Sequence, residues 1–299
     1  MKTLIDYFTQ GTERTQTLGA VGVEIETDFT FLDGTPITEA VSQCILRCAT
    51  GKPDDCTVKL ELGRQKIEIN VAPQPTFNIL WPRVQAGLTW LYGVAKQYNA
   101  VPCFRPDFCW NGPLLYVQEE RDALWVQLDG RNALEHLCRC SSVQFTVDVH
   151  PADAVHVLNA LNSNRELRDA YQRNERLWGR YITESREKYL PLRYGGPTSF
   201  ASLKDYVTKL TEHDVVMHQG KPIRLKPQEV PDFDINLYLR SIWWHYRLRR
   251  YGNALCIELR TFPRQTDAKI PEMWQKVNKI IQDVISRKRT TLTNNEWFH

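Results

Sequence analysis

Acidic and amide side chains recur at alternate positions in four short segments of the chain. The first segment spans residues 21–29 and carries Glu24, Glu26 and Asp28 between apolar residues. Because successive side chains of a β-strand point to opposite faces, these three acids share one face. Carboxylates gathered on one face repel each other, so they raise each other's pKa or require a cation. The pattern therefore indicates a site for a hard divalent cation such as Mg²⁺, which prefers oxygen ligands.

Three further segments, at 66–71, 142–150 and 255–261, repeat this alternation. Their polar positions are Glu68, Asn70, Gln144, Thr146, Asp148, His150, Glu258 and Arg260. Any one segment taken alone is typical of an antiparallel strand with one face in water. Glutamates recur in three of the four segments with little lysine beside them, which favours a shared site. His150 precedes Pro151 and is interpreted as a strand end.

Helical patterns separate the strands. Thr38 is predicted to cap a helix that runs to about Cys48, and a second apolar stripe at helical spacing begins at Phe77. Pro151 and Pro271 are each predicted to open a helix, and a charged helical stretch covers 166–187. Two-faced strands separated by helices predict an α+β fold. We expect a curved, mainly antiparallel sheet with an acidic concave face and helices packed on the other face.

Length and composition limit the function classes. A chain of 299 residues with 42% hydrophobic content can bury a large core. We expect one catalytic domain over 1–299, with a variable helical and loop insertion at about 160–235. The net charge of +3 is too small to predict nucleic-acid binding. No apolar run approaches a membrane span and the first residues lack a signal-peptide pattern, so we expect a cytoplasmic protein with no membrane partner.

The eight cysteines do not have the spacing of a zinc site and are expected to be reduced thiols. Cys256 has the same parity as Glu258, so it either lines the same cavity or packs as a small apolar residue. Arg249 and Arg250 are interpreted either as part of a charged exposed edge or as site residues. Trp243 and Trp244 are interpreted as core residues.

The segments 21–26, 61–69, 141–148 and 257–260 resemble, in order and character, those of the glutamate-cysteine ligase and amidoligase superfamily. The resemblance implies a glutamine-synthetase-like fold. It also implies an ATP-dependent carbon-nitrogen ligase that joins a carboxylate to an amine through an acyl phosphate. The implied cofactors are ATP and two or three Mg²⁺ ions, with Mn²⁺ as a possible substitute. The implied partners are small-molecule or peptide carboxylates and amines, and the substrate identity and oligomeric state stay open.

The resemblance also implies roles for individual residues. Arg260 would neutralise the transferred phosphoryl group, and Glu68 and Glu258 would act with it in catalysis. The implied metal ligands are Glu24, Glu26, Glu61, Glu68 and Glu258. The implied nucleotide contacts are Gln144, Thr146, Arg247 and Arg260. Glu61 lies an odd number of residues from Glu68, so in an unbroken strand a bulge at Gly63 is needed to bring them to one face.

Two alternatives stay open at this point. The same fold could transfer phosphate to a guanidino group, or it could bind a nucleotide or peptide without catalysis. The sequence contains no P-loop, dinucleotide-binding or nucleophile-elbow motif, which excludes the commonest other ways of handling nucleotides and acyl groups. Four arginines are further candidates for binding a substrate carboxylate, namely Arg131, Arg180, Arg193 and Arg224.

Overall fold

The computed structural model describes residues 2–12, 19–118, 120–185 and 193–295. The helices are α1 (Lys2–Thr9), α2 (Glu39–Arg47), α3 (Phe77–Gln97), α4 (Glu120–Asp129), α5 (Arg131–Leu137), α6 (Pro151–Ser163), α7 (Arg165–Glu184), α8 (Leu203–Leu210), α9 (Ile235–Arg240) and α10 (Ile270–Asn295). The strands are β1 (Val21–Phe31), β2 (Cys56–Leu60), β3 (Lys66–Gln74), β4 (Ala100–Cys103), β5 (Ser142–Asp148), β6 (Tyr194–Gly195), β7 (Val215–His218), β8 (Lys221–Leu225), β9 (Trp243–Trp244), β10 (Tyr246–Tyr251) and β11 (Ala254–Pro263).

Seven strands form the main sheet. Its order is β10-β11-β5-β1-β3-β2, and β4 pairs with the end of β1. Every pairing in this sheet is antiparallel. The four segments with alternating acids are β1, β3, β5 and β11, which lie side by side in the sheet. The prediction of a mixed fold with a mainly antiparallel sheet is therefore confirmed.

Strand register brings the polar positions of these four strands into adjacent rows. Glu24 lies opposite Asn70 on one side and Gln144 on the other, and Glu26 lies opposite Glu68. Because directly opposed side chains on one sheet face are about 5 Å apart, acids distant in sequence become neighbours.

The apolar face of the sheet carries the larger core. Ile25, Ile69 and Phe145 are completely buried there, and α3, α6 and α10 supply the apolar residues that cover them. The predicted helices are confirmed within the described residues. Thr38 caps α2 by accepting a hydrogen bond from the Val41 amide, and His150, just beyond the end of β5, caps α6 by accepting from the Ala152 amide.

The polar face of the sheet lies under a second, smaller apolar cluster. Its members come from α4, α5, α7 and β7, and include Trp125, Leu134 and Tyr181. Most of its buried members lie between residues 108 and 138, and Tyr181, Val216 and Met217 come from the predicted insertion at about 160–235, of which residues 186–192 fall outside the described part of the chain. A cavity is left between this cover and the polar face of the sheet.

Across the described ranges, no helix is both long enough and apolar enough to cross a membrane.

The contact between α3 and the sheet depends on a glycine. A Cβ atom at Gly87 would lie 2.7 Å from Cys56 Sγ and from Ile69 Cδ1, both buried, whereas a Cβ at Gly93 of the same helix meets nothing within 4 Å. We predict that Gly87→Ala lowers the free energy of unfolding by about 1 kcal/mol, because overpacking exceeds the gain in helix propensity. Gly93→Ala should raise it by about 0.5–1 kcal/mol. Urea unfolding of both variants checks this, and equal stability of the two would contradict it.

Candidate functional site

Five predicted glutamates line one cavity on the polar face of the main sheet. We call it the acid cavity and define it by Glu24, Glu26, Glu61, Glu68 and Glu258, all of which contribute to its wall. Its volume is about 250 Å³, and Gln144, Arg247 and Arg260 also line it. The structure therefore brings together side chains from β1, β3, β5, β10, β11 and the turn after β2.

Three of the acids are close enough to share one ion. One carboxylate oxygen from each of Glu26, Glu61 and Glu68 lies within 4.8 Å of the other two. Glu68 is 2% exposed and accepts a hydrogen bond of 2.7 Å from Asn70 Nδ2. Oxygen ligands at this spacing and in this number fit a magnesium or manganese ion, which takes carboxylates together with substrate oxygens.

Glu61 reaches this group by a route that differs from the sequence prediction. The chain does not continue as a bulged strand from Glu61 to Glu68. It reverses direction between Leu60, where β2 ends, and Lys66, where β3 begins, and Lys59 pairs with Glu68 across the hairpin. In this hairpin each residue of β2 lies opposite a residue of β3 that is an odd number of positions away. Glu61 and Glu68, which are also an odd number of positions apart, therefore point to the same face. The predicted bulge at Gly63 is therefore wrong, while the shared location of Glu61 and Glu68 is confirmed.

Crowding of the acids changes their protonation. Burial and the neighbouring carboxylates of Glu61 and Glu24 raise the pKa of Glu68 well above its usual range. Burial raises the pKa of Glu26 to about 7, even though Ser142 donates to it through its amide and its hydroxyl. Burial and the charge of Glu258 raise the pKa of Glu24. Where these glutamates lie, the ionised carboxylates would therefore carry more negative charge than the neighbouring basic side chains balance.

Lys59 supplies a partial balance that sequence analysis missed. Its ammonium nitrogen lies 2.9 Å from Glu68 Oε1 and 3.2 Å from Glu61 Oε1. Burial opposes the charged form of Lys59, but Glu61 and Glu68 outweigh this and raise its pKa. Burial opposes ionisation of Glu61, but Lys59 and a hydrogen bond with Glu68 together outweigh it and lower the pKa of Glu61. In the sequence, Lys59 alternates with Glu61 just before the predicted strand at 66–71, and this alternation was the signal that could have identified Lys59.

The opposite wall of the acid cavity is positively charged. We call Arg247, Arg249 and Arg260 the arginine cluster; all three surround the carboxylate of Glu258. Oε2 accepts from Arg247 Nε at 2.6 Å and from Arg260 Nη1 at 3.3 Å, and Oε1 accepts from the Tyr251 hydroxyl at 2.9 Å. Although burial opposes ionisation, the arginines lower the pKa of Glu258 to about 2. In this arrangement Glu258 orients guanidinium groups, and its predicted role as a metal ligand stays a prediction.

The arginines of this cluster differ in the donors that they have left. Arg247 is 3% exposed and its Nη1 donates to the carbonyls of Leu239 and Ile242, so most of its guanidinium is engaged by the protein. Arg249 is 5% exposed, and among the residues that the structure describes its buried Nε and Nη1 have no hydrogen-bond partner. Its interpretation as an exposed edge is therefore wrong. Arg249 shares the parity of Arg247 on β10, which was the signal available in the sequence.

The remaining predicted residues fall into two groups. Gln144 lies at the centre of the site and donates to Glu26 Oε1 at 3.3 Å. Thr146 and Cys256 do not line the acid cavity; they line a neighbouring recess that shares Glu24 and Tyr251 with it. The prediction that Thr146 contacts the nucleotide is not supported by its position. Trp244 is a core residue as expected, whereas Trp243 lines the acid cavity.

The four further arginine candidates lie elsewhere. Arg193 is buried and donates to the carbonyl and hydroxyl of Ser241, which fixes the chain before β6. Arg180 lines a separate groove on the outer side of α5 and α7, and Arg131 and Arg224 are exposed. Within the described residues, Arg240 is the additional arginine that does line the acid cavity.

Comparisons with known proteins give little further information. No protein-family model and no curated protein matches the chain. Among solved structures, the crystal structure of a bifunctional glutathione synthetase from Pasteurella multocida superposes on 87% of this chain, with a TM-score of 0.45 and 12% sequence identity. This chain spans 37% of the length of that protein's chain. At this level the similarity assigns neither a family nor an activity.

The raised pKa of Glu26 predicts a pH-dependent stability in metal-free buffer. The folded protein holds a proton on Glu26 that the unfolded chain loses near pH 4.5, so stability falls as pH rises through about 7. Burial lowers the pKa of His213 and His245 to about 4, so these histidines make the folded protein more stable as pH rises from about 4 to 6.5. Above pH 6.5 this opposing contribution to stability levels off. We expect the wild type to lose about 1 kcal/mol more than Glu26→Gln between pH 6.5 and pH 8. Urea unfolding in EDTA tests this, with Glu272→Gln on exposed α10 as the control; identical pH profiles for wild type and Glu26→Gln would refute it.

Proposed function

We propose that this protein is an ATP- and Mg²⁺-dependent carboxylate-amine ligase that forms an amide bond through an acyl phosphate. We assign the activity to a single catalytic domain with a glutamine-synthetase-like fold. The observation that carries the proposal is the division of charge in the acid cavity. Four glutamates lie at one end and three arginines lie at the other, within one enclosure between the sheet and α4, α5 and α7. A triphosphate with its metal ions has the complementary arrangement of charge.

The acidic end fits the cations of a metal-nucleotide complex. Glu24, Glu26, Glu61 and Glu68 would hold two or three Mg²⁺ ions, or Mn²⁺ in their place. Bound there, such ions neutralise phosphate oxygens and so favour transfer of the terminal phosphoryl group. Asn70 orients Glu68, and Ser142 and Gln144 orient Glu26. Lys59 would leave the carboxylates when metal binds, since a lysine with a 54% exposed side chain moves at little cost.

The basic end fits the transferred phosphoryl group. Arg260 and Arg249 both line the cavity, and Nε and Nη1 of Arg249 have no hydrogen-bond partner among the described residues, so we assign both arginines to the phosphoryl oxygens. Arg247 and Glu258 hold these two guanidinium groups in place, because their own polar atoms are engaged. Fixed donors in a site with little water stabilise developing charge without reorganising, which is the main catalytic contribution that a protein makes to phosphoryl transfer.

The reaction then needs no nucleophile from the protein. An oxygen of the substrate carboxylate attacks the γ-phosphorus of ATP, the bond to the β,γ-bridging oxygen breaks, and ADP leaves. The nitrogen of a neutral amine attacks the acyl carbon of the resulting acyl phosphate, and the C–O bond to phosphate breaks. The amine gives up one proton to the departing phosphate, so that amide, ADP and hydrogen phosphate are the products.

Substitution of an acid tests the assignment at the acidic end. We predict that Glu68→Gln lowers Mg²⁺-dependent turnover at least 100-fold, because a neutral amide is a weak ligand and the site loses one negative charge. The measurement is ADP release with panels of amino acids, polyamines and short peptides, combined with mass spectrometry of condensation products. Glu272→Gln should retain full activity. Phosphorylated guanidino products without an amide would instead indicate a phosphotransferase, and unchanged ligand binding without any turnover in the wild type would indicate a binding protein.

Arg249 provides a separate test at the basic end. We predict that Arg249→Met raises the KM for ATP about tenfold or more, because it removes a charge-assisted hydrogen bond to the phosphates. Arg249→Lys should recover part of the affinity through its charge but not the geometry of the guanidinium. Arg83→Met, which removes a surface arginine paired with Asp55, is the control. Steady-state kinetics at varied ATP check the prediction, and a normal KM for ATP in Arg249→Met would disprove the assignment.

A further inference from the structure

A second recess opens directly off the acid cavity and is walled by aromatic rings. We call it the aromatic lobe and define it by Trp178, Tyr194, Trp243 and His245. The two cavities share seven residues, namely Glu26, Glu61, Leu62, Leu137, Gln144, Trp243 and Arg260. A molecule in the lobe would therefore touch the same carboxylates and the same arginine that face the reacting end of the nucleotide.

The rings of the lobe form one connected wall. Trp178 stacks on Tyr194 with centroids 4.8 Å apart and an interplanar angle of 22°, and Trp178 contacts Trp243 at 6.0 Å. The His245 ring meets Tyr194 edge-on at 5.1 Å. Because burial lowers the pKa of His245 to about 4, this imidazole is neutral at physiological pH. The wall is therefore aromatic and uncharged.

The backbone fixes these rings relative to one another. Tyr194 and Trp243 are paired across the parallel β6–β9 bridge, and the His245 amide donates to the Gly195 carbonyl at 3.1 Å. Gly195 and Gly196 both have positive φ, and a Cβ at Gly196 would lie 2.6 Å from Trp244 Cγ. A glycine is required there because the chain runs against the buried Trp244 ring. The backbone pairing and the glycines therefore set the shape of the aromatic lobe.

Size and charge limit what the lobe can hold. Its volume is about 160 Å³. An apolar cavity of roughly this size accommodates a benzene ring. Lys66 lies at the lobe, but its ammonium donates to the carbonyls of Leu137 and Cys140 and so is already engaged. Arg260 is paired with Glu258. Glu26 and Glu61 remain at the junction with the acid cavity, where they attract a cationic group and repel an anionic one.

We propose that the aromatic lobe binds the side group of the acceptor amine, and that the preferred amine carries one aromatic ring or an apolar group of similar size. This inference rests on the ligase activity proposed above and adds the class of its second substrate. The ring would pack on Trp178, Tyr194 and Trp243, which places the amine nitrogen at the junction, beside the residues that face the acyl phosphate. An adenine base does not fit this position, because ribose and two phosphates separate it from the γ-phosphorus.

The first experiment measures binding without catalysis. Tryptophan fluorescence of the full chain in EDTA is titrated with 2-phenylethylamine, ethylamine and 3-phenylpropionate. We expect 2-phenylethylamine to bind at least tenfold more tightly than either of the others, and Trp178→Ala to remove this preference while Trp178→Phe keeps most of it. Trp90→Ala, which removes an indole bonded to the Thr50 carbonyl far from the lobe, should leave it unchanged. Equal binding of the three probes, or tighter binding of the carboxylate, overturns the proposal whatever the activity.

The second experiment separates a failure of the lobe from a failure of the ligase reaction. Hydroxylamine is small enough to trap an acyl phosphate without using the lobe. We expect Trp178→Ala to form hydroxamate from the accepted carboxylate within twofold of the wild-type rate, with an unchanged KM for ATP. Its kcat/KM for 2-phenylethylamine should fall at least tenfold. If the variant instead changes the KM for ATP, or loses hydroxamate formation while remaining folded by circular dichroism, the lobe is not an amine site. If the wild type forms no hydroxamate with any carboxylate, the proposed ligase activity itself is wrong.

Discussion

Repulsion among buried carboxylates is the constraint on which the site depends. Glu24, Glu26 and Glu68 lie together on one sheet face, Glu68 buried and the other two half-buried, and burial together with neighbouring carboxylates raises their pKa values. A protein keeps such an arrangement only where a cation, a proton or a ligand offsets the cost. Here the charges of Lys59, beside Glu61 and Glu68, and of Lys66, which acts on Glu26, offset part of this cost. The remaining imbalance is what makes this end of the cavity suited to divalent cations.

The arginine cluster concentrates positive charge, as the glutamates concentrate negative charge. Three guanidinium groups would repel one another without the carboxylate of Glu258 between them, and its pKa of about 2 keeps that carboxylate ionised. Burying such a network is costly unless every charge is hydrogen-bonded. Arg247 and Glu258 meet that condition, whereas Arg249 is ion-paired with Glu258 but its buried Nε and Nη1 have no hydrogen-bond partner within the described part of the chain. An anionic ligand at this end would complete the network, and the separation of the two ends sets the direction in which a metal-bound triphosphate would lie.

The main sheet connects the two ends. Its register places Glu26 beside Glu68 and Glu258 beside Arg247 and Thr146, so the acids and arginines occupy successive rows of one face. The apolar face is anchored by α3, α6 and α10, while α4, α5 and α7 cover the part of the polar face that lines the cavity and its aromatic lobe. The charged side chains therefore lie mainly on the strands of the main sheet, whereas the aromatic wall belongs to the elements that cover its polar face.

Alternation alone predicted the four acidic strands and the face that each acid occupies, because side-chain direction in a strand follows parity. Apolar spacing and capping residues predicted the helices between them. It also identified Glu24, Glu26, Glu68, Glu258 and Arg260 as one group. Tertiary structure decided what parity cannot express. Which strands are neighbours and in which register depends on pairing between distant segments, so the hairpin that returns Glu61 to Glu68, the burial of Arg249 and the displacement of Thr146 and Cys256 into another recess were beyond the sequence. The pairing of Glu258 with arginines was hidden for the same reason, since a charged side chain takes its role from the charges that packing places around it.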